Sequence, residues 1–218
     1  MAQKKIAVVL SGSGVYDGSE IHESVLTLLA LSRHGVDYQC FAPDIPQHHV
    51  INHITGEEMQ EQRNVLIESA RIARGNIKPL SEFDAEAFDA IIFPGGFGAA
   101  KNLSSFAFDG TGCNVNSEVE RAVEAMAASG KSIGALCISP AVIVKILEGA
   151  TVTIGTDQAT AEAIEAMGGK HKRAGHGEVV FDERYNLVTS PCYMLDASVA
   201  QIADGAEHAV SMLLERIG

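Results

Sequence analysis

The sequence predicts an α/β protein with an open, mostly parallel sheet and helices on both faces. Two observations carry this. The apolar runs Ile6 to Leu10, Val36 to Phe41, Ala90 to Phe93 and Ser132 to Leu136 lack polar alternation and are bounded by Gly, Pro or Asp, as strands buried on both faces are. Between them, Glu20 to Arg33, Gln62 to Arg74 and Val115 to Ala128 repeat apolar residues at helical spacing. Strands alternating with helices build such a sheet through crossover connections.

Each remaining element follows from its own pattern. Ile138 to Leu147 reads as a helix that tolerates Pro140 in its first turn. Thr151 to Ile154, Glu178 to Phe181 and Leu187 to Thr189 are short β-type runs, the last two forming a small β-hairpin through Asp182 to Asn186 in the C-terminal third. Ala197 to Arg216 closes the chain as a helix with one apolar stripe. No linker, repeat or low-complexity stretch divides the chain, so residues 1–218 are expected to form one domain.

Composition narrows the partners. A formal charge of -12 on 218 residues disfavours nucleic acid and anionic membrane, which need clustered cations, and leaves small molecules. Met1 to Lys5 leads straight into an apolar run too short for a signal segment or a membrane span. The four cysteines, Cys40, Cys113, Cys137 and Cys192, form no C-x-x-C pair and read as thiols of a reducing compartment. A cytoplasmic location is expected.

Three motifs gather at the carboxyl ends of strands, where open sheets bind ligands. Cys137 stands between a strand and a helix, where unpaired N–H groups and the helix dipole favour a thiolate, as in a nucleophile elbow. The same position also suits a buried thiol used as a small hydrophobe. Phe93-Pro-Gly-Gly-Phe-Gly98 is either a tight turn or a source of backbone N–H donors for an oxyanion. Glu20 and Glu23 share one face at the start of the first helix, so an acid there either meets Cys137 or complements the dipole. Ser11-Gly-Ser-Gly14 resembles a phosphate-cradling loop but lacks the P-loop lysine and the full glycine spacing.

Phe93-Pro-Gly-Gly-Phe-Gly-Ala-Ala-Lys-Asn-Leu-Ser104, Ala135-Leu-Cys-Ile-Ser-Pro140 and Gly18-Ser-Glu-Ile-His-Glu23 resemble segments of the PfpI-like, class I glutamine amidotransferase-like superfamily. Tyr16-Asp-Gly-Ser-Glu-Ile-His-Glu23, Val50-Ile-Asn-His-Ile-Thr-Gly-Glu57 and Thr153-Ile-Gly-Thr-Asp157 are similar to its ElbB group, the isoprenoid biosynthesis glyoxalases. The resemblance runs end to end and implies a flavodoxin-like sheet. It further implies a Cys137 thiolate of lowered pKa beside a protonated Glu23, with the N–H groups of Gly96 and Ile138 as oxyanion donors and Gly95 beside them. The chemistry implied is glutathione-independent conversion of glyoxal or methylglyoxal to glycolate or lactate, a glyoxalase III-type hydro-lyase reaction with no cofactor and no metal. Relatives are often homodimers. The same thiol would also serve a redox-sensing or stress-response binding protein, and the group's name suggests an accessory role in isoprenoid metabolism.

The chain departs from its relatives in three places. Ile138 replaces the His that follows the nucleophile in proteases of this type, and the strand after the nucleophile helix offers only Thr156 or Asp157 where many relatives have His. Ser190-Pro-Cys-Tyr-Met-Leu-Asp196 lacks the His and Glu of glutamine amidotransferases, so neither a protease nor an amidotransferase is expected. Cys192 follows a strand at the same sheet edge and is expected to line the pocket. His171 and His176 read as solvated loop residues, the His48, His49 and His53 group as a surface loop, and Cys113 as a loop thiol. Ile45 to Pro79 exceeds an ordinary connection and is a candidate lid or dimer contact, with Arg63, Arg71 and Arg74 facing either an anion or local acids.

Overall fold

A computed structural model describes residues 4–217; Met1 to Gln3, within the stretch expected to hold no targeting segment, and Gly218 lie outside it. Seven strands form one sheet in the order β3-β2-β1-β4-β5-β9-β8. These are β1 (Lys5–Val9), β2 (Asp37–Ala42), β3 (Ile77–Pro79), β4 (Ala90–Phe93), β5 (Ser132–Leu136), β8 (Val180–Asp182) and β9 (Leu187–Ser190). All pairings are parallel except β8 with β9, the expected hairpin, whose second strand continues the main sheet beside β5. The strand order reverses between β1 and β4, which opens a crevice beyond their carboxyl ends.

The unbroken apolar runs are explained by cover on both faces. Ala7, Val9, Ile91, Phe93, Ile133 and Ala135 point into one core, closed by α5 (Ser117–Ala128) and α6 (Ser139–Ile146). Their alternates Ile6, Val8, Ala90, Ile92 and Val188 point into the other, closed by α1 (Ile21–Arg33) and α8 (Val199–Glu215). Asn116 caps α5 by accepting from the N–H groups of Glu118 and Val119, and Ser198 caps α8 in a reciprocal box with Gln201.

Several elements were not expected. α2 (Val65–Ile72) is shorter than its pattern, and α3 (Phe97–Lys101), α4 (Phe106–Asp109) and β3 are too short to show periodicity. The stretch read as β-rich holds α7 (Gln158–Ala166), capped by Asp157, between β6 (Thr151–Val152) and β7 (Lys170–His171), which pair with each other in a separate two-stranded sheet tied to the β8–β9 hairpin by the Thr151 N–H on Asp182 Oδ2. His171 is therefore a half-buried strand residue rather than a solvated loop one, and its Nε2 accepts from the Ile154 N–H at 3.4 Å.

Candidate active site

The elbow forms because β5 must turn sharply to feed α6. Cys137 takes φ +58°, a left-handed conformation that costs a non-glycine residue on the order of 1–2 kcal/mol. Two hydrogen bonds hold it there: Cys137 N–H donates to the Ser190 carbonyl at 3.0 Å, and Ser139 Oγ donates to the Pro94 carbonyl at 2.9 Å. The second ties the elbow to the glycine turn after β4.

That turn sets the acid against the thiol. Gly95 N–H donates to Glu23 Oε2 at 2.9 Å, and Tyr193 N–H donates to Glu23 Oε1 at 3.0 Å. A methyl group at Gly95 would lie 2.6 Å from Glu23 Oε2 and 2.9 Å from Cys137 Sγ, so only glycine lets the three meet. Gly96 takes φ +100° and is wedged against the Glu20 N–H and the Gly18 carbonyl. Of the two acids on the first helix, Glu20 takes the capping role, accepting from the Glu23 N–H at 2.7 Å, and Glu23 faces the cysteine.

Glu23 is wholly inaccessible to solvent, and burial pushes its pKa up to about 8; the Glu20 charge adds to the rise, while the Tyr193, Gly95 and Cys137 hydrogen bonds oppose it. The expected lowering of the Cys137 pKa is not found. Burial pushes the thiol well above its ordinary value and the Glu23 charge pushes it further, against the pull of the Gly96 and Ile138 N–H groups. Those two donors are the ones expected for an oxyanion, and here they face the sulfur. At neutral pH the pair holds both protons, and its first ionisation, near pH 8, belongs to the pair.

Cys137 opens into a cavity of about 410 Å³. Its walls are largely apolar, from Val15, Phe97, Ala100, Phe106, Ile138 and Met194, with Asp157, Thr160 and Tyr193 as polar members. Tyr193 was not singled out by sequence, although it follows β9 at the sheet edge where a lining was expected. Its backbone holds Glu23, and its hydroxyl lies 2.8 Å from His22 Nδ1. Cys192 is not among the lining residues: it is buried behind them, partnered by the Ser190 side chain and packed near Gly205. Asp157 reaches the cavity wall but is occupied as the cap of α7, accepting from the Thr160 N–H at 2.8 Å. A second cavity of equal volume, between Lys170, Lys172, Arg184 and Asp182, is lined by no cysteine.

The other motifs resolve as structure. The Ser11 to Gly14 loop spends its donors internally: Ser11 N–H on Ser19 Oγ, Gly12 N–H on Ser69 Oγ and Gly14 N–H on the Ser19 carbonyl. Arg63 pairs with Glu61 and Glu68, and Arg71 with Glu68, which makes them partners of local acids. His48 stacks on Phe108 with ring centroids 4.1 Å apart, His53 packs on Tyr16, and Cys113 is buried. Among the described residues no cluster of three or more His, Cys, Asp or Glu could hold a metal ion, and no helix is long and apolar enough to cross a membrane.

No family model matches the chain. It is 49% identical over 98% of its length to the human protein named glutamine amidotransferase-like class 1 domain-containing protein 3, mitochondrial, covering 84% of that protein. It is 48% identical, with the same coverage, to the mitochondrial ES1 protein homolog of Rattus norvegicus. A crystal structure of an isoprenoid biosynthesis protein with an amidotransferase-like domain from Ehrlichia chaffeensis superposes with a TM-score of 0.92 at 37% identity, over 99% of this chain and all of that one. A DJ-1 superfamily protein from Salmonella typhimurium shares the fold, with a TM-score of 0.57 at 23% identity over 94% of this chain and 86% of that one. The relatives' names overturn the expected cytoplasmic location. Unpaired cysteines do not by themselves distinguish the cytoplasm from other compartments.

Proposed function

Since this chain belongs to the family of ES1 and glutamine amidotransferase-like class 1 domain-containing proteins, we propose that it is an ElbB-type glyoxalase, converting an α-oxoaldehyde to a 2-hydroxy acid through Cys137 and Glu23. The observation that carries this reading is the sealed pair itself: a carboxyl with a pKa near 8 against a thiol at the floor of a cavity. An acid with that pKa accepts and returns protons near neutral pH, as a reaction that moves one proton between two carbons requires.

In the singly ionised pair, Glu23 takes the Sγ proton as sulfur bonds to the aldehyde carbon, and passes it to the aldehyde oxygen to give a hemithioacetal. The Gly96 and Ile138 N–H groups stabilise the oxygen while it carries charge. Glu23 then removes the proton from that carbon, giving an enediolate; the hydroxyl proton of the former aldehyde oxygen passes to the neighbouring oxygen and Glu23 returns its proton to the neighbouring carbon, leaving a 2-hydroxy thioester on Cys137. Water cleaves the thioester, releasing the 2-hydroxy acid and restoring the thiol. One carbon is oxidised and its neighbour reduced, so no external redox partner enters.

The test is consumption of glyoxal and methylglyoxal with the product identified by NMR. Wild type should form glycolate and lactate, and Glu23→Gln should lose about 10²- to 10⁴-fold in rate. Wild-type protein that leaves both aldehydes at the uncatalysed rate would remove this reading.

A further inference from the structure

Nothing in the glyoxalase reading requires the cavity to be as large or as apolar as it is. Glyoxal has four heavy atoms and, at a water's share of about 30 Å³ for each, fills less than ~120 Å³. The cavity beside Cys137 measures about 410 Å³. Most of it would hold water against Val15, Phe97, Ala100, Phe106 and Met194, surfaces that gain by losing water. Phe97 is 48% exposed at this wall, an aromatic ring that a bound group would cover.

The polar inventory narrows the ligand further. No Lys, Arg or His is among the residues lining the cavity, so an anionic substituent would find no counter-charge there. The one carboxylate among the lining residues is Asp157, whose pKa is lowered by its Thr160 hydrogen bonds and which therefore repels anions. Lys101, on the same short helix as Phe97 and Ala100, has its ammonium on the Tyr16 carbonyl at 2.8 Å and above the Phe97 ring. Phosphorylated and carboxylated aldehydes are thus disfavoured.

We propose that this cavity receives the uncharged, apolar substituent of a carbonyl substrate, an alkyl chain of several carbons or an aryl ring, with its reacting carbonyl at Cys137. This rests on the proposed glyoxalase reading for the reaction but not for the binding. Each methylene buried should raise kcat/KM about fourfold until the cavity is filled.

Two measurements on the wild-type chain separate the ideas. The first is kcat/KM for glyoxal, methylglyoxal, longer alkylglyoxals and phenylglyoxal, expected to climb along the series with phenylglyoxal at least tenfold above glyoxal. The second needs no turnover: the methyl resonance of Met194 is followed while acetone, acetophenone or benzoate is added. Acetophenone should shift it at least tenfold more tightly than acetone, and benzoate should not. Equal response to all three, or to none, overturns the inference whatever the turnover. Selective acetophenone binding without turnover of any aldehyde would sink the glyoxalase reading and leave the apolar site standing. Turnover that is flat along the series, without selective binding, would do the reverse.

Discussion

Cys137 and Cys192 follow neighbouring strands, β5 and β9, whose last residues Leu136 and Ser190 are paired. Both take left-handed backbone, at φ +58° and +42°, and both are nearly buried, at 7% and 5% exposure. Burial and the Glu23 charge push both thiols well above their ordinary pKa. They differ in what faces the sulfur. Cys137 meets the N–H groups of Gly96 and Ile138 and opens into the cavity, whereas Cys192 meets the Ser190 side chain and the back of α8 near Gly205. Strain, burial and a nearby acid are therefore common to both; aimed donors and access distinguish the cysteine to which the proposed reaction assigns the nucleophile.

The largest effect should come from removing each sulfur in turn. Cys137→Ala is expected to lose about 10³-fold or more in kcat/KM, the scale of losing a covalent nucleophile. Cys192→Ala should stay within about fivefold, since it neither lines the cavity nor holds Glu23. Product formation followed by NMR reads both. Comparable losses would break the comparison and return Cys192 to the site.

A smaller effect sharpens the role of the acid the two thiols share. With the folded pKa of Glu23 near 8 and its ordinary value 4.5, the unfolded chain releases this proton first. Between those pH values the unfolded state binds fewer protons, so the contribution of Glu23 to stability falls as pH rises and is level below and above that window. The full loss is on the order of 5 kcal/mol. Glu23→Gln keeps the shape without the titration. Denaturation midpoints at pH 5 and pH 8.5 should therefore converge for the variant while wild type drops. Parallel curves for the two proteins would show that Glu23 is ionised in the fold well below pH 8. In wild type, kcat/KM should rise with pH through the same value near 8.

Much of this was legible in the sequence because it depends on local pattern. β4 and β5 begin and end where their apolar runs do, and Cys137, Glu23, Gly95, Gly96 and Ile138 meet because all lie at strand ends or on the first helix turn. The pKa of Cys137 was not legible: a helix start favours thiolate locally, but the burial of the sulfur and the Glu23 charge beside it arise only once segments distant in sequence have packed. α7 was missed although Asp157 and Thr160 carry a capping signal, because short β-type runs on either side dominated the reading. Nor could the sequence separate the two glycine loops. Ser11 to Gly14 and Pro94 to Gly96 look alike, and only the fold shows that Ser19 and Ser69 consume the donors of the first.

The smallest expected effect tests whether strain is a shared property or a feature of the nucleophile. At positive φ a Cβ is penalised and glycine is not, so Gly should be more stable than Ala by about 1 kcal/mol at position 137 and by a similar amount at 192. Comparing Cys137→Gly with Cys137→Ala, and Cys192→Gly with Cys192→Ala, cancels the lost sulfur within each pair and leaves the backbone term. Equal gains would mean that both strand ends are held against the same cost by their surroundings, Cys137 by its bond to Ser190 and Cys192 by the Tyr193 N–H that must reach Glu23. A gain at 137 alone would tie the strain to the elbow. A gain at neither would show that the left-handed turn is not what orients the thiol, and the donors of Gly96 and Ile138 would then have to do so alone.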